Sequence, residues 1–185
     1  GDNAFGNLSS LSGASVAENA YYLNGLNITN FDNYLGSALV PFEFYKSVEV
    51  KTGGYPAEYG RAIGGIVNAV TKSGSNDFGG SIHINWTPEA LRSDSPDTYL
   101  ARNALDVRET SSAIVDFSGP IIKDHLFFYG IAEFRNDTFR DSGLTTLQQI
   151  EDKDSDPFFG FKLDGYLNAD HHLEFTYWDT DRTTF

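Results

Sequence analysis

Ser81-Ile82-His83-Ile84-Asn85-Trp86-Thr87 places an apolar residue at every second position. A period of two sends successive side chains to opposite sides of an extended strand, so one face of this stretch is apolar and the other polar. The pattern recurs toward the end of the chain. Leu173, Phe175 and Tyr177 alternate with Glu174, Thr176 and Trp178, and Phe159, Phe161, Leu163, Gly165 and Leu167 alternate with Gly160, Lys162, Asp164, Tyr166 and Asn168. Two stretches between them follow less cleanly. In residues 112–118, Ala113, Val115 and Phe117 share a face while Ile114 takes the other; in residues 126–135, Glu133 and Arg135 set the polar parity against Leu126, Phe128, Gly130, Ala132 and Phe134. Five strands, each with one apolar face, are expected.

The connectors alternate too. Long polar stretches, residues 88–109 and 136–157, follow the first and third strands, whereas the second and fourth end in the short runs 119–124 and 168–171. Long loop, short turn, repeated, is the meander of a membrane β-barrel. A soluble β-sandwich also offers alternating strands, but structureless loops of about twenty residues are uncommon in one. Five strands fall short of the roughly 8 in the smallest membrane barrels, so under the barrel reading most of the wall belongs outside this chain. Phe159, Phe161, Phe175 and Tyr177 then suit a lipid face with aromatic girdles; in a sandwich they would be core.

Composition narrows the classes. The chain has 185 residues and no cysteine, which excludes disulfides, thiol catalysis and cysteine-ligated metal centres. Its 26 acidic against 13 basic residues argue against a nucleic-acid partner, since gripping a phosphate backbone takes cationic surface. No run of about 18 apolar residues is present, so a transmembrane helix is not expected, and no basic-then-apolar leader opens the chain. Methionine is absent and Gly1 stands first, from which a piece of a longer protein is expected. The two predicted long loops carry 5 acidic against 3 basic and 6 against 2 residues, placing much of the net -13 in those loops rather than at a binding partner.

A second region differs in character. Residues 1–79 hold 12 of the 18 glycines, and residues 80–185 hold 10 of the 15 phenylalanines. The small polar run Ser73-Gly74-Ser75-Asn76-Asp77 marks the change, giving an expected division into 1–72, a linker 73–79, and 80–185. Within the first region, Tyr22-Leu23-Asn24-Gly25-Leu26 has the Asn-Gly centre of a two-residue hairpin. Residues 44–52 alternate as a strand, another strand falls within 63–72, and the glycine-rich 53–62 between them implies sharp turns or close backbones.

These residues carry a resemblance. SVEVKTGGYPAEYGRAIGGIVNAVTKSGSN, residues 47–76, resembles the C-terminal part of the plug domain of TonB-dependent receptors. The Asn24-Gly25 hairpin is similar to that family's plug hairpin, and Ser118-Gly119-Pro120-Ile121-Ile122-Lys123-Asp124-His125-Leu126-Phe127-Phe128 resembles the first periplasmic turn and third barrel strand. The Lys51-Thr52-Gly53-Gly54-Tyr55 variant and the Gly-Pro-Ile-Ile-Lys-Asp turn look most like the Oar-like branch. Lys51-Thr52-Gly53-Gly54 stands where the common signature has arginine-glycine-proline, so that arginine's ion-pair role does not carry over.

The resemblance implies a mostly β fold: a glycine-rich plug, residues 1–72, inside an antiparallel transmembrane β-barrel of which residues 80–185 supply about the first five strands. It implies energy-coupled uptake of a ligand across the outer membrane of a Gram-negative bacterium. The implied partners are a TonB complex reached through a segment not in this chain, outer-membrane lipid, the remaining barrel strands of the parent chain, and a small-molecule, glycan or peptide ligand. Surface adhesion or protein export within the Oar-like branch is not separable from import on these residues. The competing reading from another class is a soluble β-rich carbohydrate-binding or adhesion module. Glu133, Arg135, Lys162, Asp164 and Glu174 would line the lumen, and residues 27–39 correspond to the plug's apical loop. Asn27, Thr29, Asn30, Asp32, Asn33 and Tyr34 would there bond and stack a polar ligand, with glycan or peptide slightly favoured.

No cofactor, metal site or enzymatic activity is expected. Gly53 to Gly65 lacks the Gly-Lys-Ser/Thr ending of a phosphate loop. Glu151-Asp152-Lys153-Asp154-Ser155-Asp156 begins like a calcium loop, but Pro157 replaces its glycine and Leu163 its bidentate glutamate, leaving a solvated acidic loop. His171-His172 is expected to be turn, with His83 and His125 far along the chain. No serine, histidine and carboxylate form a recognisable nucleophile set.

Overall fold

The computed structural model describes residues 11, 13, 15–29, 40–54, 64–93, 96–97, 105–142, 149–168 and 170–179. The chain divides into two compact units, residues 1–72 and 73–185, and is β throughout apart from short 3-10 turns among the described residues. No described helix is long and apolar enough to cross a membrane.

The first unit is a four-stranded sheet. β1 (Ala20–Leu23) and β2 (Leu26–Asn27) are joined at Asn24-Gly25, both with positive φ, 50° and 80°. That pair of left-handed residues matches the right-handed strand twist, which is why Asn-Gly stands there. β3 (Tyr45–Lys51) and β4 (Ile66–Thr71) complete the order β2-β1-β4-β3, with β4 parallel to β1 and antiparallel to β3. Leu23, Phe44, Ile66 and Ala69 form its core. Buried Thr71 is tied to the hairpin, donating its amide to Asn24 Oδ1 at 2.9 Å and accepting from Asn24 Nδ2 at 2.8 Å. Buried Asn19 likewise accepts from the Gly65 amide at 3.1 Å. Burial raises the phenol of Tyr45 above its ordinary 10.0.

The second unit is antiparallel. It contains β5 (Gly79–Thr87), β6 (Val107–Ile122), β7 (Leu126–Ser142), β8 (Gln149–Asp154), β9 (Phe158–Asn168) and β10 (His171–Asp179). The sheet order is β10-β9-β7-β6-β5, each neighbour antiparallel, with β8 paired to the outer end of β7. All five expected strands are present. Two are longer than their alternation indicated, because β6 and β7 run on as a two-stranded ladder from Val107 opposite Arg140 to Ile122 opposite Leu126.

The predicted loop 136–157 is only partly a loop. β8 lies within it and pairs Asp137 with Asp154 through Ser142 with Gln149. β8 and β9 are successive stretches along the same side of β7, interrupted at 155–157. Pro157 sits at the break, where a residue without an N–H cannot extend a ladder.

The two faces of this sheet are inverted relative to a soluble protein. Ile82, Ile84, Trp86, Val115, Phe117, Phe134, Leu173, Phe175 and Tyr177 lie exposed, Ile84 at 76% and Phe175 at 58%. The opposite face buries Glu133, Lys162 and Asp164, the last two at 2% exposure, beside Phe127, Tyr129 and Ile131. Along β6 the apolar side spans Ala113, Val115, Phe117, Gly119 and Ile121, nine residues from end to end. That is the length, about 9–11 residues, with which a tilted strand crosses a bilayer. Across four strand pairs, Gly80, Phe117, Gly130, Phe161 and Tyr177 stand in one row, rings lying beside glycines.

Candidate functional site

The apical-loop residues divide sharply. Asn30, Asp32, Asn33 and Tyr34 lie outside the described residues. Asn27 and Thr29 are described, and both hold the hairpin: Thr29 donates its amide to Asn27 Oδ1 at 3.0 Å, and its own Oγ1 accepts from the Tyr21 amide at 3.0 Å. Thr29 is buried, and the bond its hydroxyl accepts ties it back to β1.

On the polar face of the second unit, strand register builds a charged cluster. Thr176 and Glu174 of β10 stand opposite Lys162 and Asp164 of β9, while His172 stands opposite Tyr166. Lys162 Nζ lies 3.1 Å from Glu174 Oε2 and 3.5 Å from Asp164 Oδ1, and donates to Ser73 Oγ at 3.0 Å. His172 Nε2 lies 3.3 Å from Asp164 Oδ1, its ring stacked on Tyr166 with centroids 4.5 Å apart and planes 14° from parallel. Asp164 Oδ2 is buried with no hydrogen-bond partner. Of the five expected lumen residues, Lys162, Asp164 and Glu174 thus come together, while Glu133 and Arg135 pair separately at 2.5 Å. Sequence reasoning missed His172 as their neighbour. The signal was available, since His172, Glu174 and Thr176 share one parity of β10.

Close to the turns, the linker run is clamped from both sides. Asn76 donates to Asp124 Oδ1 at 2.7 Å and accepts from the Asp124 amide at 2.8 Å. A Cβ on Gly74 would lie 2.4 Å from the Phe128 carbonyl and 2.9 Å from that of Gly119, so only glycine passes there.

One constellation has the ingredients of a nucleophile set. Ser81 Oγ bonds Asp116 Oδ2 and lies 3.0 Å from His83 Nε2. The order is wrong for relay catalysis, because the carboxylate sits on the hydroxyl and not on the imidazole it would have to orient. The backbone of the acidic run 151–154 is extended within β8 rather than looped. On the apolar face, a hollow of about 500 Å³ lies over Gly130 and Ala132, walled by Phe117, Phe128, Phe159, Phe161 and Tyr177.

The first unit is thus a sheet with a parallel β1-β4 pair, and the second an antiparallel meander with one apolar and one charged face. Residues 1–66 match the TonB-dependent Receptor Plug Domain. The chain is 36% identical over 124 residues to the "TonB-dependent transporter Oar" of Myxococcus xanthus, a match covering 65% of this chain and 12% of that protein. Among solved structures it is similar to the siderophore receptor PirA from Acinetobacter baumannii, with a TM-score of 0.59 and 20% identity over 86% of this chain and 23% of that one. The plug match and the Oar relative support a TonB-dependent receptor of the Oar-like kind, and the solved structure supports the fold. The chain therefore spans only a small part of the relatives it matches.

Proposed function

We propose that the parent protein is an energy-coupled importer of the Gram-negative outer membrane, taking up a polar ligand with work supplied by a TonB complex. In this reading residues 1–72 are the C-terminal part of its plug, 73–79 a linker, and 80–185 the first strands of its barrel. The observation that carries it is the inversion of the second sheet, with Ile84 and Phe175 exposed while Lys162 and Asp164 are buried. An exposed apolar face of this extent needs lipid, and a charged interior suits a lumen rather than a sandwich core. The matched relatives are transporters and receptors, which agrees with a role other than catalysis.

Ligand recognition is assigned to the segment that follows β2. Asn30, Asp32, Asn33 and Tyr34 would meet the ligand, and Asn27 and Thr29 would fix the loop's base through the bonds described above. Amides and an aromatic ring in one short segment favour a glycan or a peptide. The test is genetic: strains lacking the parent gene or lacking TonB are screened for growth on limiting panels of oligosaccharides, peptides and iron chelates. A shared growth defect, reproduced by combined Asp32→Ala and Tyr34→Ala substitutions in the intact receptor, is expected. Absence of any shared defect would overturn the import reading.

A further inference from the structure

Asp164, His172 and Glu174 offer an imidazole nitrogen and two carboxylate oxygens, all within 4.8 Å of one another. Among the described residues this is the one such group. We propose that these three residues bind a divalent first-row transition cation of the zinc type on the polar face of the β9-β10 hairpin.

Three observations lead there. The first is spacing: metal–ligand lengths of about 2.1 Å put neighbouring ligand atoms about 3.0–3.4 Å apart in octahedral or tetrahedral sites, and His172 Nε2 stands 3.3 Å from Asp164 Oδ1. The second is an unmet need, because Asp164 is 2% exposed and its Oδ2 has no partner. A buried carboxylate oxygen left unpaired costs free energy that a cation would recover. The third is support for the imidazole. Its ring is stacked on Tyr166, and the Tyr166 backbone is held on both sides by His125, which accepts from the Tyr166 amide at 2.7 Å and places Nδ1 3.1 Å from the Tyr166 carbonyl. The stack fixes the plane of the ring that turns Nε2 toward Asp164.

Ligand chemistry selects the metal. One imidazole with two carboxylates suits zinc, manganese, cobalt or nickel, whereas calcium and magnesium favour oxygen alone and copper(I) favours sulfur. Lys162 is the built-in competitor, its ammonium touching both carboxylates. A cation entering the cluster would push that ammonium back onto Ser73 Oγ, where it already donates. The inference does not depend on the transport reading, since it concerns only the wall of the folded protein.

The intact receptor, tag removed and held in detergent, is titrated with Zn²⁺ against a chromophoric chelator, and with Co²⁺ followed by its visible ligand-field absorption. Saturable binding is expected that drops at least tenfold in His172→Gln and in Asp164→Asn, with loss of the Co²⁺ absorption in both. His172 is exposed, so its substitution leaves folding intact. Lys162→Met, which removes the competitor, is expected to bind more tightly than wild type; a mere ion-pair network would show no such gain. Zinc binding that is absent, or unchanged by His172→Gln and Asp164→Asn, would overturn the proposal.

Discussion

Asn24 shows how much one side chain can hold. Its backbone supplies half of a tight turn at φ 50°, and its amide group both accepts from and donates to Thr71, which is fully buried. Replacing Asn24 with Ala strands the Thr71 amide and hydroxyl and removes the residue that best tolerates a left-handed turn. A loss of about 1–3 kcal/mol is expected from the unsatisfied buried groups. The check is thermal unfolding of the intact receptor, where the plug transition falls in Asn24→Ala and recovers partly in Asn24→Asp, which keeps an acceptor for the Thr71 amide. The turn was legible because Asn-Gly between apolar arms has one common solution. The bond to Thr71 was not, since 47 residues separate the partners.

At the level of the strand, alternation carried most of the information. Residues 81–87, 159–167 and 173–178 form strands, and successive side chains of a strand point to opposite faces, which separates the apolar from the polar residues in each. β8 escaped that reading. Gln149-Ile150-Glu151-Asp152-Lys153-Asp154 has no alternation and only Ile150 as a strand-favouring residue, and its extended form comes from pairing with β7. The face assignment of β10 is testable in an intact receptor made cysteine-free outside this chain, which itself has none. Spin labels at Phe175→Cys and Thr176→Cys in the intact receptor should divide between a lipid-soluble quencher at 175 and a water-soluble one at 176. Equal accessibility at the two positions would contradict a lipid-facing wall. Phe175→Arg is further expected to cost about 2–4 kcal/mol of barrel stability if the residue sits near the bilayer midplane, read by urea unfolding from lipid vesicles.

For the whole molecule the distribution of apolar surface is decisive. Phe117, Phe134, Phe159, Phe175 and Tyr177 are exposed together, where a soluble domain would cover them. The parent protein is therefore expected to fractionate with outer membranes, to need detergent for extraction and to precipitate when detergent is removed; partition into the aqueous phase would instead favour a soluble binding module. Periodicity, turn chemistry and the glycine-rich run were enough, from the sequence alone, to predict a mostly β protein, its five alternating strands and its likeness to plugged receptors. Those signals are local, set by the backbone period and by residues that alone tolerate a given turn. The tertiary structure decided what depends on register between strands distant in the chain: the β2-β1-β4-β3 order, the continuation of β7 with β8, and the meeting of Lys162, Asp164, His172 and Glu174. Pairing across a sheet brings side chains together in a direction perpendicular to the chain, and no pattern along one strand records which neighbour will stand beside it.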